Sequence, residues 1–233
     1  MRYDVVALLL LAVAVLVWIY RRDKRRFEAE RAMLLGEAQA LLTGAEQSRA
    51  ANEYPKVSGR YRGHAVTIDA VLDTIAVRKL PSLWLRVTVL ADIPFSGACD
   101  ILARAHNVEF YSPAAAMEHV LSLPAGWPDH LTVKTDDPAA MPPEAILARH
   151  IQIFREDERM KELLVTPRGV RMVWQAAEGA RAEYMVLRQA AFGPVVVPRA
   201  RLQALLDAAV ALAEELKTAK LPTDGPATDG AAA

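Results

Sequence analysis

Histidines, a cysteine and acidic runs are the residue types from which a catalytic or metal site would be built. His64, His106, His119, His130 and His150 belong to no His-x-His, His-Glu-x-x-His or Cys-containing pair, so no local metal-ligand spacing exists. His106 and Glu109 are three residues apart across a turn signal, and His150 falls near the apolar face of its helix, where a hydrogen-bonded boundary histidine is expected. Cys99 sits between Ala98 and Asp100 in a strand-like stretch with no adjacent cation or helix terminus to favour the thiolate, so it reads as a small buried hydrophobe. Being the single cysteine, it forms no intrachain disulfide. Glu156-Asp157-Glu158, bracketed by Arg155 and Arg159, and Asp136-Asp137 read as solvated turns. A hydrolytic carboxylate pair needs a particular separation in space, which adjacent acids do not encode. Nucleophile-elbow, P-loop and dinucleotide-binding motifs are absent from the sequence. The expectation is no catalytic, cofactor-binding or metal-ligating residue and no cofactor; the chain leans away from being an enzyme.

One charged set is more suggestive. Arg168, Arg171, Glu178, Arg181 and Glu183 gather in a hairpin and the segment after it, beside Trp174 and Tyr184. Arginine next to aromatic rings is a common composition of binding surfaces. Ordinary cross-strand ion pairs account for the same residues. The candidate interaction surface is Arg168, Arg171, Trp174, Arg181 and Tyr184, together with Phe27, Leu34 and Leu41 of the amino-terminal region.

Something has to position these residues, and the chain begins with an apolar stretch. Residues 5–19 are Val, Ala, Leu, Ile and one Trp, without charge, glycine or proline. As a helix the stretch rises roughly 22 Å, short of a hydrocarbon core of roughly 30 Å. Tyr3 on one side, with Trp18 and Tyr20 on the other, supplies aromatic rims at the headgroup level. Beyond them stand Arg21, Arg22, Lys24, Arg25 and Arg26, whose stems can snorkel. A cleaved signal peptide would want positive charge ahead of the run and a small-x-small site behind it; here Arg2 is offset by Asp4 and the run ends in the basic block. A buried helix of a soluble protein is seldom apolar on every face. Residues 1–21 are therefore expected to be a transmembrane anchor. The basic flank should stay on the cytoplasmic side, which puts the amino terminus outside and the main domain in the cytoplasm, at the bacterial inner (plasma) membrane. The same block is a site where anionic lipid would be attracted, although setting topology accounts for it as well.

Residues 22–53 read as a continuing juxtamembrane amphipathic helix, with Phe27, Leu34, Ala38, Leu41 and Ala45 along one stripe. Asn52-Glu53-Tyr54-Pro55 closes it. A globular domain is expected over 56–219, followed by a disordered tail over 220–233. Strands are expected over residues 65–72, 83–90, 98–103, 108–111 and 131–135. A hairpin flanks Pro167-Arg168-Gly169, and 182–191 is one more strand or a helix. Helices are expected over 143–156 and after Pro198, where Leu202, Leu205, Leu206, Ala209, Leu212, Ala213 and Leu216 form an apolar face. Strands joined by turns predict an α+β class: a single transmembrane helix running into an amphipathic helix, then a mainly antiparallel sheet packed with two helices. A β-barrel or sandwich capped by the C-terminal helix is the alternative.

Lysine plus arginine equals aspartate plus glutamate at 28 each, so nothing draws the chain toward nucleic acid, and no nucleic-acid partner is expected. The sequence points to a single-pass anchored accessory or scaffold protein, with the lipid bilayer and a protein partner, or another copy of itself, as its contacts. A lipid- or small-ligand-binding module comes second. An enzyme whose site converges only in three dimensions comes third.

Overall fold

Uninterrupted helix formers carry α1 from Arg2 to Met33 in the computed structural model, which describes residues 2–50, 53–73, 80–103, 112–181, 184 and 192–219. At about 1.5 Å per residue α1 is roughly 48 Å long, so it continues well past the apolar run and through the basic block. It stops earlier than the sequence stripe implies. Leu34 N–H donates to the carbonyl of Arg31 at 3.3 Å and Gly36 N–H to that of Met33 at 3.2 Å, which tightens the last turn. A short 3-10 turn over Gln39–Leu41 follows, and the backbone is extended by Leu42.

Residues 43–50 therefore do not continue the helix. Thr43–Ser48 is strand β1, antiparallel to β2 (Lys56–Tyr61) with Gln47 opposite Val57 and a bulge between Thr43 and Glu46. The physical reason is local. Leu42 is already extended, with φ -105 and ψ 135, and Gly44 has φ 63, outside the helical basin.

The remaining strands are β3 (His64–Asp73), β4 (Ser82–Leu90), β5 (Cys99–Leu102), β6 (His119–Leu121), β7 (Thr132–Thr135), β8 (Met160–Thr166) and β9 (Gly169–Glu178). They form one open antiparallel sheet in the order β1-β2-β3-β4-β9-β8-β5-β7-β6. This is the α+β class, and the open edges rule out the closed barrel. The strand expected over 108–111, the element expected over 182–191 apart from Tyr184, and the tail from 220 lie outside the described residues. The helix expected over 143–156 is two pieces, α2 (Glu144–His150) and α3 (Ile153–Glu156), while α4 runs Arg199–Thr218.

The chain falls into two compact units. The first holds residues 1–60, 67–85 and 175–203. Its core includes Leu34, Leu35, Val57, Ile68, Leu83, Trp84 and Val197, with Val197 N–H donating to the Leu34 carbonyl at 3.1 Å. The second holds residues 61–66, 86–174 and 204–233. Its core includes Val87, Ile101, Leu147, Ile151, Leu163, Met172, Leu206, Leu212 and Leu216. Within this unit α4 is tied by Tyr61, whose hydroxyl donates to Asp207 at 2.7 Å, and by Arg149, which donates to Glu215 at 2.6 Å.

The turn between β8 and β9 shows why glycine stands at 169. Its φ is 141, and a Cβ built there would overlap the carbonyl oxygen of Val89. That closeness lets the turn carbonyls of Pro167 and Arg168 accept from Ile93 and Ala91, both at 3.0 Å.

Candidate functional site: an exposed apolar helix and a buried charge cluster

Two features depart from an ordinary folded domain. The first is α1, where Tyr3–Met33 contains an 18-residue window of mean hydropathy 2.4, none of it buried. Leu8, Leu9 and Leu11 are each more than three-fifths exposed. Leaving this much contiguous apolar surface in water is unfavourable by about 25 cal/mol for every Å², and soluble proteins rarely do it. The helix is long and apolar enough to cross a membrane. At its far end Trp18 and Tyr20 are exposed, and the Arg22 guanidinium lies over the Trp18 ring at 5.5 Å from its centre. Lys24 stands 4.0 Å from Glu28, and Arg26 pairs with Glu30 at 2.9 Å, both one helical turn on.

The second feature is a cluster on one face of the sheet in the second unit. Register places Arg171 of β9 opposite Leu164 of β8, Leu164 opposite Asp100 of β5, and Asp100 opposite Lys134 of β7. Glu162, two residues from Leu164, shares the face. Asp100 and Glu162 are fully buried. Arg171 grips Glu162 with both ends of its fork, Nε to Oε2 at 2.8 Å and Nη2 to Oε1 at 3.0 Å. The Ser112 hydroxyl donates to Asp100 Oδ2 and in turn accepts from Ala114 N–H at 3.0 Å, while Lys134 Nζ donates to the Ala114 carbonyl at 3.0 Å. Among the described residues Asp100 Oδ1 has no hydrogen-bond partner.

Burial pushes both carboxyls upward, and their mutual repulsion adds to it for Asp100; Arg171 opposes the shift at Glu162. Of the two, Asp100 takes the proton, with a pKa raised to about 7. Neighbouring Cys99 is pushed up to about 12 by burial and the adjacent carboxylates, so its thiol is a core group, as its sequence context implied. Beside Arg171 lies a shallow cavity of about 170 Å³ lined by Thr88, Leu90, Leu164, Thr166 and Arg168 as well. Small-molecule sites are usually roughly 300–1,000 Å³, so this one suits little more than a few waters or a side chain.

The residues singled out from sequence are dispersed. Phe27 is exposed on α1, but Leu34 is fully buried and Leu41 is half-buried. Arg168 is exposed at the β8–β9 turn and Arg171 belongs to the ion pair with Glu162. Trp174 points to the opposite face from Arg171 and is buried, its Nε1 donating to Asp157 Oδ2 at 2.8 Å with Arg159 over its ring. Leu34 and Trp174 are therefore core residues with no surface to offer. Arg181, exposed, and Tyr184, half-buried, belong to the first unit rather than the second. Among the histidines, His64 lies 3.3 Å from Glu214; His150 Nε2 stands 3.2 Å from Glu215 Oε1 without hydrogen-bond alignment. His119 and His130 are exposed, and His106 lies outside the described residues. Among the described residues no three or more His, Cys, Asp or Glu side chains converge as a metal site would require.

No protein-family model matches the chain, and no curated protein matches it. Among solved structures, the crystal structure of the mycobacterial trehalose monomycolate transport factor A, TtfA, is similar at a TM-score of 0.37 and 10% identity, over 80% of this chain and 82% of that one. A likeness that slight bears on neither the fold nor the function of this chain.

Sequence reasoning did not reach the Asp100–Glu162–Arg171 cluster. A signal was present: Asp100 stands between Cys99 and Ile101, Glu162 leads into Leu163-Leu164-Val165, and a charge among strand residues of that kind must be paired or neutralised.

Proposed function

We propose that this chain is a single-pass membrane-anchored accessory protein whose folded part holds or positions a protein partner at the bilayer. The observation that carries the reading is α1, a helix with an apolar surface that no described residue covers. In lipid that surface is at home and every backbone group is satisfied within the helix. With five cations in the six residues after the run, against Arg2 ahead of it, the arginine-bearing end belongs on the cytoplasmic side of a bacterial inner membrane and the folded part with it. Phe27, Arg168 and Arg181, the exposed members of the residues singled out above, are the proposed contact positions.

The test is extraction in gentle detergent followed by sizing and identification of stoichiometric companions. A defined companion, lost when Phe27, Arg168 and Arg181 are changed to Ala, is the expected result. Recovery of the chain alone and monomeric across several mild detergents would overturn the partner role. A protease cutting an amino-terminal tag from outside intact cells, while the folded part stays protected, is the expected topology; the reverse pattern would overturn the orientation. Lipid or small-ligand binding by the folded part is the second reading.

A further inference from the structure

The cations that follow the apolar run are not spread evenly around α1. With about 100° between successive residues, Arg21, Arg22, Arg25 and Arg26 fall within an arc of about 140° centred close to Trp18, while Asp23, Phe27 and Lys24 lie outside it. All of these side chains are exposed. Two like-charge pairs, Arg21 with Arg25 and Arg22 with Arg26, stand one turn apart, a spacing at which repulsion disfavours the helix. The compensation within the chain is small. Arg26 reaches Glu30 and Arg22 leans on the Trp18 ring, but among the described residues Arg21 and Arg25 have no carboxylate partner. A helix face of this kind is stabilised by anions from elsewhere.

The depth of the face says which anions. Residues 5–19 rise roughly 22 Å against a core of roughly 30 Å, so the bilayer thins or draws the flanking residues inward. Either way the first turn beyond Tyr20 lies among headgroup phosphates rather than in the aqueous phase. From Arg21 to Arg26 the helix rises about 7.5 Å, comparable to one headgroup layer. Guanidinium forks bind phosphate oxygens two at a time, which ammonium groups do not. Resting on the anchor reading above, we propose that the Arg21–Arg22–Arg25–Arg26 face, with Trp18 as its floor, selects phospholipids of net negative charge over zwitterionic ones. An acidic protein would have to reach these groups through the headgroup layer.

The full-length chain reconstituted into mixed phosphatidylcholine and phosphatidylglycerol vesicles provides the test. Spin-labelled versions of each lipid report which is immobilised at the protein surface, and alkaline carbonate washing reports whether the chain is inserted. The expected result is enrichment of phosphatidylglycerol by about fivefold or more, falling to near parity in the R21Q/R22Q/R25Q/R26Q variant while both proteins resist carbonate. Equal immobilisation of the two lipids by the wild-type chain, or enrichment unchanged in the variant, would overturn the proposal. So would loss of the selectivity on adding inorganic phosphate at constant ionic strength, which would assign the face to a free anion. Release of the wild-type chain by carbonate would instead refute the anchor itself, a separate and recognisable failure.

Discussion

The chain holds two groups of arginine-centred charge in opposite circumstances. On α1 the collar of Arg21, Arg22, Arg25 and Arg26 is exposed, with little carboxylate to answer it. In the sheet, Arg171 is clamped to a fully buried Glu162, and Asp100 is sealed in beside them. Charge that must be removed from water needs a partner or a proton, so the sheet cluster is bound up with folding. Charge left outside costs the fold little and is free to meet something else. The difference separates what holds this protein together from what it presents.

Removing one partner from each group should expose that difference most sharply. Arg171→Ala leaves Glu162 buried without its fork, at a cost of about 3–5 kcal/mol in a denaturant melt of the full chain in detergent. A loss below about 1 kcal/mol would mean that the cluster is hydrated and resembles the collar after all.

Asp100→Asn comes next, and it carries a pH signature. In the folded chain Asp100 keeps its proton up to about pH 7, whereas an unfolded aspartate releases it near about pH 4. The folded state therefore binds more protons between those values, and stability falls as pH rises through that window, complete below it and lost above it. Asparagine keeps an acceptor for the Ser112 hydroxyl and cannot ionise. Relative to wild type the variant should gain on the order of 2–4 kcal/mol at pH 8 and nothing at pH 4, a difference in which the titrating groups outside the cluster cancel. Parallel pH profiles for the two proteins would show that Asp100 ionises alike in the folded and unfolded chain.

Between the extremes lies the exposed pair of Arg149 and Glu215, which holds the Glu215 carboxyl below its usual range chiefly through the arginine hydrogen bond. Arg149→Ala should cost no more than about 1 kcal/mol and less in high salt. The smallest effect belongs to the collar itself: each single Arg→Gln change among its four positions should leave the melt within about 0.5 kcal/mol of wild type. A collar variant that melts like Arg171→Ala would erase the distinction between the two groups.

The parts that could be read from sequence were those where burial follows a single period. In α4, Leu202, Leu205, Leu206, Ala209, Leu212, Ala213 and Leu216 are all buried as the helical spacing predicts. The β8–β9 hairpin and β4 were legible from runs of β-branched and apolar residues around glycine and proline. Strand β1 was not, because Thr-Gly-Ala-Glu-Gln-Ser lies at a sheet edge, mostly exposed, and has no apolar alternation to show. The preceding turn was misread because Leu34, Ala38 and Leu41 fit a helical stripe by chance, while Leu35 and Leu42, which the stripe omits, are buried with Leu34 and Ala38. The buried cluster is assembled from β5, β8 and β9 and the Ser112 turn, segments brought together only by strand pairing. The apolar stretch of α1 was legible although the helix end was not, since its signal is length and hydropathy with no partner required.

Everything proposed for this chain depends on α1 lying in lipid, and fractionation of cells expressing the untruncated protein measures that directly. After alkaline carbonate washing, the account requires the chain to remain in the membrane pellet with its first residues, through Arg26, still attached. An intact chain in the supernatant, or a shortened form beginning beyond Tyr20, would contradict it.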